Sequence, residues 1–155
     1  MATSNNHEEI RVPAPILTII HITSAVLLGK FIPLPIPVPI FVQWLGLGFA
    51  AFGFILGVLA LIEFKRIRAT PGAKRSATNF VTSGIYRYTR NPVYLGFVFM
   101  LIGLPLNMGT YWGVILVWPL VIFMNILVIK REEINLEKRF KNQYTDYKSR
   151  VRRWL

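Results

Sequence analysis

"FVQWLGLGFAAFGFILGVLALIEF", residues 41–64, decides the architecture. Twenty-four residues at 1.5 Å per residue make a helix of about 36 Å, enough to cross a hydrocarbon core of about 30 Å. Glycines at 46, 48, 53 and 57 supply small-residue spacings suited to close helix contact. The stretch predicts a membrane-spanning helix, and the rest of the chain is read outward from it.

Upstream lies "PLPIPVP", with proline at 33, 35, 37 and 39. Alternate prolines forbid a helix and favour an extended connector. Before it, residues 14–29 form a shorter apolar run carrying Thr18, His21, Thr23 and Ser24. The opening "MATSNNHEEIR" lacks the basic region of a signal peptide, so this run is expected to stay as an anchor. Downstream, residues 93–106 and 111–129 are apolar and separated by "NMG", and so read as a tight helical hairpin. The first of the two, at about 22 Å, is short for a full crossing.

Composition supports this reading. Of 155 residues, 54% are hydrophobic, more than a soluble domain of this size could hide. There is no cysteine, which excludes disulfides, thiol nucleophiles and zinc–thiolate sites. His7 and His21 are too few and too far apart for a metal cluster, so no metal is expected. The net charge of +11 falls mainly in two blocks, seven basic residues between Lys65 and Arg90 and nine between Lys130 and Arg153. Blocks that flank apolar runs mark cytoplasmic membrane borders rather than a nucleic-acid surface. The fold class expected is an all-α membrane protein. It is a single membrane domain, 1–155, with about four transmembrane helices and a C-terminal cytosolic amphipathic helix. The loop 65–92 and the C-terminus would share the cytoplasmic side.

The tail, "IKREEINLEKRFKNQYTDYKSRVRRWL", carries a helical stripe of Ile129, Glu133, Leu136, Phe140, Tyr144, Tyr147, Val151 and Trp154. Lys138, Lys141, Arg152 and Arg153 lie off it. Glu133 is a carboxylate on an apolar face, costly unless paired. Candidate partners sit in "RYTRNPVYLG", residues 87–96, where Arg87 and Arg90 would share a face if the junction were helical. There Asn91 reads as a helix cap and Pro92 as a first-turn residue. A pocket made from this junction and residues 131–133 would hold both signs of charge. It suits a zwitterionic ligand, with its carboxylate on the arginines and helix N–H groups and its ammonium on the glutamates.

"GIYRYTRNPVYLG", followed some 35 residues later by "REEINLEKRFKNQYTDYKSRVRRWL", resembles the isoprenylcysteine carboxyl methyltransferase-like family of integral membrane methyltransferases, to which the phospholipid N-methyltransferases are similar. The resemblance covers about residues 64–155. It implies a methyltransferase-like core in 65–155 behind two N-terminal spans in 1–64. It also implies an S-adenosylmethionine site, with S-adenosylhomocysteine as product, at the cytoplasmic ends of the last helices. The family's Arg-His-Pro-x-Tyr-x-Gly motif falls on Arg90, Asn91, Pro92, Val93, Tyr94, Leu95 and Gly96, and its paired glutamates on Glu132 and Glu133. With Arg87, these residues make up the expected cofactor site. Glu133, receiving the donor's ammonium, and Tyr94 stand nearest the chemistry. Asn91 occupies the place of a histidine in many members, and a similar Asn-Pro pattern occurs in the phospholipid branch. Lys141 replaces the glycine usual after Phe140.

The acceptor implied is lipophilic, a prenylcysteine-type carboxylate or a phospholipid amine entering from the bilayer. Two other readings compete: an NADPH-dependent membrane reductase relative, and a non-enzymatic membrane adapter with a basic tail.

Overall fold

The computed structural model describes residues 13–69 and 80–155, with side chains described to residue 67 in the first stretch. The expectations for the stretch containing His7, and for Lys74 and Arg75 of the first basic block, fall outside the described residues. All the regular structure among the described residues is helical.

Helix α1 (Ala14–Phe31) begins just after Pro13 and ends before the proline-rich connector. Its buried polar groups satisfy themselves along the helix. The Thr18 hydroxyl donates to the Ala14 carbonyl at 2.9 Å, and His21 Nδ1 lies 2.8 Å from the Leu17 carbonyl oxygen. Helix α2 (Ile40–Ala69) runs thirty residues from the last of the four prolines. Helix α3 (Pro92–Asn107) and helix α4 (Trp112–Phe123) form the expected hairpin. Gly109, at φ +82°, takes the left-handed turn position that a side chain would strain.

Helices α2 and α3 meet backbone to backbone. A Cβ on Gly53 would fall 2.5 Å from the Gly96 carbonyl oxygen, and one on Gly96 would fall 2.5 Å from the Gly53 carbonyl oxygen. Gly46 meets Gly103 in the same way, its Cβ position 2.8 Å from that carbonyl. Two of the four α2 glycines, Gly46 and Gly53, thus make the helix contact. Gly48 and Gly57 face open space. On the other side of α3, α1 and α4 pack around Ala25, Leu101, Leu120, Met124 and Ile129, all fully buried.

Among the described residues, three helices are long and apolar enough to cross a membrane: Ala14–Phe31, Ile40–Ile67 and Trp112–Phe140. The sixteen-residue α3, the shorter apolar helix, is the one for which a crossing was expected without the usual length.

The tail departs from the single amphipathic helix expected. Helix α4 passes through a π-helical turn, Met124–Ile129, straight into helix α5 (Lys130–Phe140). The chain then breaks at Lys141 and resumes as helix α6 (Asn142–Arg150). The break has a local cause: Lys141 sits at φ 46°, ψ −123°, a backbone state that no helix contains. Segment 151–155 then turns back toward α3, and Trp154 packs against the core.

Candidate functional site

A cavity of about 560 Å³ lies where the end of α2, the start of α3, α5 and α6 converge. Leu61 and Phe64 of α2 form an apolar wall. Arg90, Asn91, Pro92, Val93 and Tyr94 form a second, and Glu132, Glu133, Leu136 and Phe140 of α5 a third. Tyr144 and Tyr147 of α6 close the end. Arg90 of the first basic block and Arg139 of the second, far apart in sequence, therefore both line this one site.

Glu133 is buried, as its place on the apolar stripe requires, and both of its oxygens are taken. Arg90 Nη1 lies 3.1 Å from Oε1. Arg153 donates from Nε to Oε1 at 3.1 Å and from Nη2 to Oε2 at 2.6 Å. The sequence left this carboxylate for a ligand's ammonium; in the structure the cations beside it come from within the chain. The pairing with Arg90 was expected; that with Arg153 was missed. Arg153 lies off the helical stripe, and only the return of segment 151–155 brings it inward. One signal was available, since Trp154, on the stripe, directly follows it.

Arg87 does not join Arg90. Residues 84–87 (Gly84–Arg87) form a 3-10 turn that ends before Arg90, so the shared helical face does not exist and Arg87 is exposed, away from the cavity lining. Asn91 holds the N-cap position of α3 but makes no side-chain cap. Its amide donates to the Arg153 carbonyl at 3.0 Å instead, beside the Thr89 hydroxyl, which donates to the same oxygen at 3.2 Å. Leu95 and Gly96, expected at the cofactor, are buried and absent from the lining, and Gly96 serves the crossing with α2. The motif's glycine has a packing reason here.

Tyr94 and Glu132 do face the cavity together. The Tyr94 hydroxyl donates to Glu132 Oε1 at 2.9 Å, tying the first turn of α3 to α5. Across the cavity, Arg90 keeps only 9% of its side chain exposed; its Nε and Nη1 make no hydrogen bond among the described residues, Nη1 approaching Glu133 as an ion pair. Buried guanidinium N–H groups are rarely left so, and the residue that carries them lines the pocket. Two arginines share one carboxylate, so the triad carries a net positive charge. Glu132 supplies the negative charge on the facing wall.

Aromatic residues complete the lining. Phe80 touches Phe140, Tyr144 and Tyr147, with ring centroids 5.0, 5.4 and 5.4 Å away. The Tyr147 hydroxyl donates to the Tyr86 carbonyl at 2.7 Å, pinning α6 to the turn before α3. Burial raises the pKa of Tyr86, Tyr144 and Tyr147, with the Glu132 carboxylate adding to the effect at Tyr86 and that of Glu133 at Tyr144. These phenols stay neutral at physiological pH. Hydrogen bonding to Glu133 raises Arg153 in the same sense, fixing its charge.

The family model for phospholipid methyltransferase matches residues 41–143. The chain belongs to that family. The match spans α2 to α5 and so includes Arg90, Tyr94, Glu132 and Glu133, while Tyr144, Tyr147 and Arg153 lie beyond it. No curated protein and no solved structure matches the chain. Membership in the phospholipid methyltransferase family agrees with the Asn-Pro form of the motif at Asn91 and Pro92. With three helices among the described residues long and apolar enough to cross a bilayer, the chain is an integral membrane member of a methyltransferase family.

Proposed function

We propose that the protein is an S-adenosylmethionine-dependent methyltransferase whose acceptor is a phospholipid amine. The observation that supports this reading is the two-signed cavity: a buried arginine whose Nε and Nη1 make no hydrogen bond among the described residues on one wall, and a tyrosine-held carboxylate on another. These residues fit the amino-acid end of the methyl donor, its carboxylate toward Arg90 and its ammonium toward Glu132. The volume of about 560 Å³ lies within the range of small-molecule sites. When bound, S-adenosylmethionine supplies a methyl group activated on a sulfonium.

The chain's own work is then positional. Arg90 and the N–H groups of Val93 and Tyr94, which as the second and third residues of α3 have no intrahelical acceptors, orient a carboxylate. Tyr94 holds Glu132 by Oε1, and the wall of Phe80, Phe140 and Tyr144 excludes water. Alignment and proximity are what an in-line methyl displacement needs most. An amine acceptor must shed a proton first, and Asn91 cannot take it, having no titratable group in the useful range. Leu61 and Phe64 line the cavity while remaining partly exposed on a membrane-spanning helix, a route for a lipid to enter sideways. Four crossings with the cavity on the cytoplasmic side place both basic blocks there, in keeping with the positive-inside rule.

Purified protein, isotopically labelled S-adenosylmethionine and vesicles of a primary-amine phospholipid provide the test. Label on the headgroup nitrogen is expected. Label only on an added prenylcysteine carboxylate would move the acceptor to the other class. Binding of NADPH in place of S-adenosylhomocysteine would overturn the reading in favour of a reductase.

A further inference from the structure

Segment 151–155 holds the site together through its backbone as well as its side chains. The Arg152 carbonyl accepts from the Arg90 N–H at 3.0 Å, and the Arg153 carbonyl accepts from Thr89 and Asn91. Trp154 anchors the segment in the core. Arg153 Nη1 adds a long bond of 3.4 Å to Asn125 Oδ1, from within the π-helical turn. The arginine side chain is therefore fixed from both sides, and it takes Glu133 in a two-point grip.

That grip has a consequence for Arg90. A carboxylate and a single buried arginine settle into a parallel, doubly bonded pair. Here Arg153 already occupies Oε2 and shares Oε1, so only a single contact at Oε1 is left for Arg90. Arg90 lines the cavity, and its Nε, like Nη1, is buried and makes no hydrogen bond among the described residues.

We propose that Arg153 is a positioning residue of the donor site: by competing for Glu133, it keeps Arg90 from saturating on that carboxylate and leaves its Nε for a ligand's anion. The inference rests on the donor reading above and names a residue outside the matched part of the family. Arg153 touches neither donor nor acceptor; its effect passes through Glu133.

The test is the affinity of the full-length protein in detergent for S-adenosylhomocysteine, measured by calorimetry alongside thermal stability. Arg153→Gln is expected to weaken binding about tenfold, and Arg153→Lys, which keeps the charge but not the two-point grip, about threefold. The double variant Glu133→Gln/Arg153→Gln should bind no more weakly than Glu133→Gln alone, because the two act in series. Should Arg153→Gln fail to fold, the Lys variant carries the comparison. Lower thermal stability with wild-type affinity in both Arg153 variants would overturn the inference alone. A wild-type protein that does not bind S-adenosylhomocysteine would overturn the donor reading, and the inference with it.

Discussion

The Tyr94 hydroxyl donates to the Glu132 carboxylate at 2.9 Å, so the first turns of α3 and α5 present one polar wall to the cavity. Two adjacent glutamates thereby acquire different work. Glu133 points inward and is consumed by arginines; Glu132, one helical step of 100° away, points into the cavity.

Glu132→Gln tests that division. Losing a charge-assisted hydrogen bond at a partly exposed site should weaken S-adenosylhomocysteine binding by about 1.5 kcal/mol, roughly tenfold. The comparison is Glu137→Gln. Glu137 pairs with Lys148 at 2.6 Å on the surface, both side chains 40% exposed, and its loss should change affinity and stability by less than about 0.5 kcal/mol. Equal binding by the two variants would remove Glu132 from the ligand's ammonium.

Glu133→Gln should behave as a stability variant first. The substitution leaves Arg90 buried without its counter-charge, a loss of about 3 kcal/mol in the folding equilibrium. The sequence alone suggests little loss, because a buried carboxylate awaiting a ligand is unfavourable before the ligand arrives. Chemical denaturation in detergent without ligand decides. If Glu133→Gln is as stable as the wild type, the triad is not the fixture drawn here.

The contrast shows what could be read in advance. Long apolar runs, alternate prolines and the "NMG" turn specify helices and their ends through local chemistry, so the helical order was legible. The link from Glu133 to Arg90 was legible too, because a charge on an apolar stripe needs a partner and the basic junction was the near supply. Arg153 was not, since a chain that doubles back after α6 leaves no periodic trace. The π-helical turn at "MNILVI" likewise has no signature in residue type, yet it sets the faces on which Glu132 and Glu133 emerge. Asn91 illustrates the ambiguity of a good local motif. Its N-cap position was correctly read, and its amide went to a carbonyl 62 residues away.

Gly96 provides a test away from the charges. Gly96→Ala would set a methyl group 2.5 Å from the Gly53 carbonyl oxygen, with backbone rather than a flexible side chain in the way. Helices α2 and α3 would have to separate, at about 1–3 kcal/mol. Gly57→Ala, on the same α2 helix but facing open space, should be close to neutral. Thermal unfolding in one detergent compares them. Equal melting temperatures would mean that the glycine contact does not hold the crossing, and the motif glycine would regain a claim on the cofactor.

Lys141 offers a gain rather than a loss. It ends α5 by donating its N–H to the Glu137 carbonyl at 2.9 Å, and it starts α6 by accepting from the Tyr144 N–H at 3.2 Å. Doing both forces φ to 46° with ψ at −123°, a state open to glycine and strained by about 1–3 kcal/mol for any residue with a Cβ. The resembling family places glycine at this position. Lys141→Gly relieves the strain and gives back about 0.5–1 kcal/mol in the entropy of a freer unfolded chain, for a net stabilisation of about 1 kcal/mol. Lys141→Ala removes the same exposed charge but keeps the Cβ, and should gain nothing. Because the bend swings Tyr144 and Tyr147 onto Phe80, the glycine variant should also keep the aromatic wall and bind S-adenosylhomocysteine at least as well as the wild type. Chemical denaturation of the three proteins separates backbone from charge: equal stability of the Gly and Ala variants would show that Lys141 bears no strain and that the bend between α5 and α6 is held by the aromatic contacts alone.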